Sequence, residues 1–110
     1  MTPLLSLASV SLQENGHTLV VTGDLEINAA VELAAAGMKW LKTNDLQVAA
    51  FDFTGVGKAS SVAISVLFEW LRTCHHQNIA IESIRLSAPL SRLASLAELD
   101  ELIARHGAIH

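Results

Sequence analysis

A cluster of small and polar residues near the middle of the chain could, from residue types alone, bind phosphate. The residues concerned are Gly55, Gly57, Lys58, Ser60 and Ser61. A P-loop has the longer spacing G-x-x-x-x-G-K-[ST], whereas here Gly57 comes only two residues after Gly55 and Ala59 follows the lysine. The dinucleotide-binding fingerprint also fails, because Ser60 stands where its third glycine belongs. The glycines are therefore predicted to form a turn that redirects the chain from a strand into a helix.

The hydroxyls of Ser60 and Ser61 have two chemical interpretations. A hydroxyl at a helix N-cap accepts a hydrogen bond from a free backbone N–H and contributes about 1 kcal/mol. A phosphate at the same place would face the positive end of the helix dipole and would change the local charge by nearly two units. The first role is structural and the second is regulatory, and composition favours the first.

No other residues form a recognisable catalytic or metal-binding pattern. His75 and His76 are adjacent on a predicted helix and point about 100° apart, so they do not chelate one ion together and are expected to be solvated. Cys74 falls on the buried side of the same helix, and no sequence pattern marks it as a nucleophile. We therefore expect no catalytic residue, no metal and no cofactor.

The N-terminal half of the chain predicts a hairpin followed by a helix. A loose alternation over Leu4–Leu12 indicates one strand, the Asn15-Gly16 pair indicates a tight turn, and residues 17–22 indicate a second, antiparallel strand. Asn28 is a plausible N-cap for a helix that ends near Lys42. Its packing face comprises Ala30, Leu33, Ala34, Gly37, Met38 and Leu41.

The C-terminal half predicts two more strands and three helices. Residues 47–53 are continuously apolar, which favours an interior strand covered by helices. A helix over Ser60–His76, a strand over Ile79–Leu86, a short helix with Pro89 near its first position and a last helical segment over Glu98–His106 follow. The order β-β-α-β-α-β-α-α implies one α/β domain over residues 1–110. Its sheet is expected to be mixed and four- to five-stranded, with helices mainly on one face.

The second helix carries a polar stripe next to an aromatic residue. At about 100° per residue, one side of this helix presents Ser61, Ser65, Glu69, Arg72 and His76. The opposite, core-facing side presents Ala63, Leu67, Trp70, Leu71 and Cys74. Phe68 lies about 60° from the centre of the stripe and is expected to be half exposed. Trp40 and Trp70 are expected in the core, although either could rim an interface.

Composition limits the classes of partner. The chain has 110 residues, of which 51% are hydrophobic and 16% charged, and its formal net charge is −4. The few basic residues are scattered, which argues against nucleic acid or an anionic membrane as the main partner. Cys74 is the lone cysteine, so no internal disulfide forms. With no basic residue before the first apolar residues and no apolar run of about 20, a soluble cytoplasmic protein is expected.

Three stretches resemble the STAS domain family, the fold of anti-sigma factor antagonists and of the C-terminal domains of sulfate-type anion transporters. Residues 17–25 (HTLVVTGDL) are similar to the early strand that ends in G-[DE]-[LI]. Residues 51–56 (FDFTGV) resemble the central strand. Residues 58–67 (KASSVAISVL) occupy the place of the turn and helix x-D-[ST]-[SAG]-G-[LV]-x-x-[LV]-L. The resemblance extends over about residues 5–105.

The resemblance implies a non-catalytic interaction module. Ser60 matches the hydroxyl that anti-sigma kinases phosphorylate in the antagonist branch, but Ala59 replaces the usual aspartate and Val62 the usual glycine. The compact lone domain looks more like the MlaB-type subunit of the Mla phospholipid-transport ABC system, which binds the cytoplasmic ATPase and reaches the membrane only through that complex.

The two branches give two functional hypotheses for the same surface. By this resemblance, the partner-binding surface comprises Lys58, Ser60, Ser61, Ile64, Ser65 and Phe68. The first hypothesis is a regulatory or assembly subunit bound to a transporter ATPase. The alternative is an anti-sigma factor antagonist regulated by phosphorylation of Ser60. Some STAS domains bind small ligands, but nothing in the sequence marks a pocket.

Overall fold

The computed structural model describes residues 2–57 and 61–96, which form a mixed sheet covered by helices. Within these residues the strands are β1 (Thr2–Ser6), β2 (Val10–Asn15), β3 (Thr18–Gly23), β4 (Val48–Val56) and β5 (Ala80–Leu86). The helices are α1 (Ile27–Thr43), α2 (Ser61–His76) and α3 (Ala88–Leu96). The predicted segment Glu98–His106 lies outside the described residues. The α/β class and the mixed sheet are confirmed.

The strand order follows the chain order, β1-β2-β3-β4-β5. The pairs β1–β2 and β2–β3 are antiparallel, and the pairs β3–β4 and β4–β5 are parallel. A tight turn joins β2 to β3 as predicted, but its two central residues are Gly16 and His17, because Asn15 still pairs with Thr18. Gly16 takes a positive φ of 65°. β4 is hydrogen-bonded on both sides, as its continuous apolar run predicted.

The prediction of a single strand over Leu4–Leu12 is wrong, because the chain turns back between Ser6 and Val10. The turn is closed by a hydrogen bond from the Leu7 N–H to the Val10 carbonyl, at 2.9 Å. The Ser9 carbonyl accepts a second bond, at 2.8 Å, from the N–H of Asp24. A contact with a distant segment therefore fixes this turn, and no glycine or proline marks it locally.

β4 extends further than predicted, through the first glycine of the expected turn. Its pairing with β3 sets Asp52 opposite Val20 but Gly55 opposite Thr22, so β4 contains one extra residue. The Asp52 carboxylate accepts hydrogen bonds from the N–H and hydroxyl of Thr54, at 2.9 and 2.5 Å. A Cβ on Gly55 would lie 2.6 Å from Cγ2 of Thr22. Gly55 is thus a strand residue whose missing side chain allows β3 to approach closely.

The helix starts differ in part from prediction. Asn28 lies inside α1, and the N-cap is Glu26, whose side chain makes no capping bond. The Glu26 carbonyl accepts bonds from the N–H groups of the third and fourth residues after it, at 3.0 and 3.1 Å. α3 begins after Ser87, whose hydroxyl accepts a bond from the Leu90 N–H at 3.4 Å, and Pro89 lies in its first turn as expected.

The core lies between the helices and one face of the sheet. Trp70 of α2 is fully buried, with ring centroids 5.9 Å from Phe51 and 5.7 Å from Phe53. Its indole N–H donates to the Ala34 carbonyl of α1 at 3.1 Å. Gly37 of α1 faces the same ring. Because glycine has no side chain, the backbone of α1 lies directly against the indole of Trp70 on α2. Both tryptophans are buried, as expected.

Candidate docking surface

The segments that follow β3 and β4 meet at one edge of the sheet. Because these strands are parallel, their carboxyl ends lie together, and α1 and α2 begin beside each other. The Gly57 N–H donates to the Gly23 carbonyl at 3.2 Å. A Cβ on Gly57 would lie 3.0 Å from the Asp24 carboxylate. The two loops are thus held together at the point where the resemblance placed the functional surface.

The predicted site residues differ in where the structure places them. Lys58 and Ser60 lie outside the described residues. Ser61 and Ser65 are exposed on the first turns of α2, and the Ser65 hydroxyl donates to the Ser61 carbonyl at 3.0 Å. Phe68 is half-buried and packs against the core, as predicted.

Ile64 is not a surface residue. Its side chain is 3% exposed and belongs to the core cluster. On α2 it lies about 100° from the centre of the polar stripe, next to the core-facing side, where its branched side chain is removed from water. We therefore leave Ile64 out of the candidate surface.

The polar stripe of α2 is confirmed. Its five residues, Ser61, Ser65, Glu69, Arg72 and His76, are exposed or half-exposed. Glu69 and Arg72 form an ion pair of 2.7 Å, one turn apart on the helix. The stripe therefore carries the serine hydroxyls near the start of α2 and the Glu69–Arg72 ion pair near the middle of the helix.

Sequence reasoning missed an apolar patch on α1. Ile27 and Val31 are the most exposed large apolar side chains in the described part of the chain, at 78% and 77%. They lie four residues apart, one helical turn, and so share one side of α1. The sequence does contain a signal for this patch: two large apolar residues, one helical turn apart, lie outside the predicted packing face of the helix.

A groove opens between this patch and the polar stripe. We name it the α1–α2 groove; it has a volume of about 270 Å³ and is lined by Ala30, Val31, Ala34, Val62, Ser65, Val66 and Glu69. α1 and α2 each follow a strand of the parallel pair β3–β4, so the two helices are expected to run in the same direction beside each other. Small alanines form one wall, and valines form much of the other. The groove is therefore largely apolar, with Glu69 as its charged member.

The remaining candidate groups are the cysteine and the two histidines of α2. Cys74 is fully buried, and burial raises the pKa of its thiol to about 11. His75 and His76 are exposed, as expected. Across residues 2–57 and 61–96, no three His, Cys, Asp or Glu side chains lie close enough to hold a metal ion. Nor does any helix in that part combine the length and apolar character needed to cross a membrane.

The chain is similar to a known protein family. Residues 8–104 match the family model described as "Mlab, STAS domain". The matched region begins just before β2 and includes all later described elements, among them both helices that form the groove. No curated protein matches the chain.

Proposed function

The chain belongs to the MlaB-type STAS domain family, and we propose that it is a cytoplasmic subunit that binds the ATPase of an Mla-type phospholipid-transport ABC transporter. STAS domains mediate protein–protein interactions and are generally not enzymes. In this role the domain supports the assembly or activity of the ATPase and does not itself hydrolyse ATP. Its link to the membrane is through the transporter complex.

One observation carries this proposal: the apolar side chains of Ile27 and Val31 are exposed on the first turns of α1, and Val31 lines a groove with residues of the start of α2. Leaving two large apolar side chains in water is unfavourable, by about 25 cal/mol for each Å² that a partner would cover. A small domain that exposes adjacent apolar residues next to polar ones is typical of a protein interaction site. The family assigns docking to the start of α2, which is the same edge of the molecule.

Co-purification with the ATPase tests the proposal. We expect Ser60→Glu and Phe68→Ala each to weaken recovery of the complex. The glutamate adds charge at the docking edge, and the alanine removes half-exposed aromatic surface next to it. Ser91→Glu is the matched control, because Ser91 is an exposed serine near the start of α3. The melting temperatures of the Ser60→Glu and Ser91→Glu proteins are expected to stay near that of the wild type.

Two results would count against the assignment. Unchanged recovery with both Ser60→Glu and Phe68→Ala would exclude these residues from the docking surface. Failure of the wild-type chain to bind the ATPase at all would exclude the proposed partner.

A second candidate function, an anti-sigma factor antagonist, is supported by the exposure of Ser61 at the first turn of α2. A phosphate on the neighbouring Ser60 would be stabilised by the N-terminus of that helix. The test is the mass of the protein isolated from stressed cells. A gain of one phosphate on Ser60 supports this function, and an unmodified Ser60 counts against it.

A further inference from the structure

We propose that the α1–α2 groove receives an amphipathic helix of the partner protein. One apolar side chain of that helix would be seated between Val31 and Val66, and a basic side chain would face Glu69. This inference rests on the proposed function, since it describes how the partner ATPase is held. It adds the chemical character of the bound element and the residues that select it.

The walls of the groove favour a helix over an extended strand. Both walls are α-helices, in which the backbone N–H and C=O groups beyond the terminal turns are bonded within the helix, and neither wall is a sheet edge. An added β-strand needs free backbone groups, and the walls of the groove do not offer them. Recognition must therefore use side chains, and an amphipathic helix presents apolar side chains at the spacing of successive turns along one line.

The dimensions of the patch also suit a helix. Ile27, Val31 and Ala34 follow one another at four and three residues, the spacing that places residues along one side of a helix. They span about 10 Å along α1, roughly two turns. A third helix laid along this row would contact both α1 and α2, in the way that ridges of one helix fill the grooves of others.

The small residues of the groove leave room for a large anchor. Ala30 and Ala34 line the α1 side, and the volume of about 270 Å³ is open beside Val31. Val62 and Val66 supply apolar contact from α2. Large apolar side chains seated in such positions contribute most of the binding energy in many interfaces. The anchor is therefore expected to be a residue such as leucine, methionine or phenylalanine.

Charge favours a basic partner over a second copy of this chain. The charged residue that lines the groove is Glu69, which a lysine or arginine of a docked helix would reach in addition to Arg72. The chain as a whole carries a formal net charge of −4. Two copies would repel each other, whereas a basic helix would be attracted.

The first arm of the test compares two substitutions on α1. Val31→Glu is expected to weaken binding of the full-length ATPase at least tenfold, because it places a charge in the apolar contact. Thr43→Glu is the control, since Thr43 is exposed at the C-terminal end of α1, about three turns beyond Val31, and does not line the groove. It should change binding less than about threefold. Equal melting temperatures would exclude unfolding as the cause.

The second arm tests charge. Binding of the wild type is expected to weaken as salt is added, and Glu69→Gln should make that dependence less steep. The third arm places a photo-cross-linking residue at position 31 in the complex. We expect cross-links to ATPase residues that are three or four positions apart in one helix.

The outcomes separate this inference from the function on which it rests. If the ATPase binds the wild type and Val31→Glu equally, the groove inference is wrong while the proposed function stands. Cross-links to a second copy, to residues 97–110 of the same chain or to an extended segment of the ATPase would also overturn it. If the wild type does not bind the ATPase, both proposals fail.

Discussion

Replacement of Gly37 by alanine would test the contact that sets the spacing of α1 and α2. A Cβ on Gly37 would lie 2.2 Å from Cε2 of Trp70 and 2.4 Å from Cζ2 and Nε1. Real Cβ atoms do not approach ring atoms so closely, so either the indole or α1 has to move. The indole cannot move freely, because it is fully buried between Phe51 and Phe53 and bonded to the Ala34 carbonyl.

The expected cost follows from three effects. Overpacking a buried contact costs about 1–3 kcal/mol. Displacement of the indole would weaken its hydrogen bond to α1, which would lower the free energy of unfolding by about 0.5–1.5 kcal/mol. Alanine is the better helix former by about 1 kcal/mol, which offsets part of this. The free energy of unfolding should therefore fall by about 1–3 kcal/mol for Gly37→Ala, which lowers Tm by roughly 4–12 °C in a domain of this size.

Chemical denaturation of the wild type and four variants measures this change in the free energy of unfolding. The matched control is Ala35→Gly, an exposed site on the same helix, where only helix propensity acts and the expected loss is about 1 kcal/mol. In a Trp70→Phe background, Gly37→Ala should cost at least about 1 kcal/mol less than in the wild type, because the smaller ring relieves the clash. If Gly37→Ala alone stabilises the protein by its helix propensity, the two helices are further apart than described and the shape of the groove is wrong.

Two further predictions concern buried groups away from the groove. The raised pKa of Cys74, about 11, means that the folded state keeps a proton that the unfolded state releases above about pH 9. The free energy of unfolding should therefore be insensitive to this group below pH 9 and should fall between about pH 9 and 11, by at most about 3 kcal/mol. Denaturation at several pH values shows this as a slope that Cys74→Ala abolishes; equal slopes in both proteins contradict it. At Trp40, the indole N–H donates to the Glu14 carboxylate at 2.5 Å. Trp40→Phe should lower stability by about 1–2 kcal/mol, and by clearly less in a Glu14→Ala background. Identical losses in the two backgrounds would show that the bond contributes nothing.

The sequence predicted those elements whose signals are local. The interior strand β4 has a continuous apolar run, α2 has an amphipathic pattern, and the turn after Asn15 contains Gly16, which favours positive φ. The separation of β1 from β2 could not be predicted in this way. Its turn residues are ordinary, and the Ser9 carbonyl is bonded to Asp24, fifteen positions along the chain.

The glycines show the same division. Gly16 was predicted correctly because its role depends only on its own φ. Gly55 was assigned to a turn, yet its role depends on Thr22 of the neighbouring strand. Gly37 appeared only as part of a packing face, and its close contact is with Trp70 of the next helix. A glycine required by a distant neighbour leaves no trace in its immediate sequence.

The candidate surface was predicted for one helix and found to involve two. The stripe of α2 followed from helical periodicity alone, and the half-burial of Phe68 came with it. The groove requires α1 and α2 to lie side by side at a distance fixed by the contact of Gly37 with Trp70. Periodicity assigns each residue to a side of its own helix, but it does not give the neighbouring helix or the space between the two.

Val62 lines the α1–α2 groove and also occupies a position of the motif that resembles anti-sigma factor antagonists, the second candidate function. The antagonist pattern has glycine at this position, which would let a partner approach the backbone at the start of α2. Here the side chain of Val62 lines the groove and adds apolar surface to its α2 wall. A partner that docks in the groove would be bound by contact with side chains, and this contact would not require a charge change at Ser60. Docking in the groove and phosphorylation of Ser60 are therefore separable, and Val31→Glu and Ser60→Glu need not have equal effects on binding.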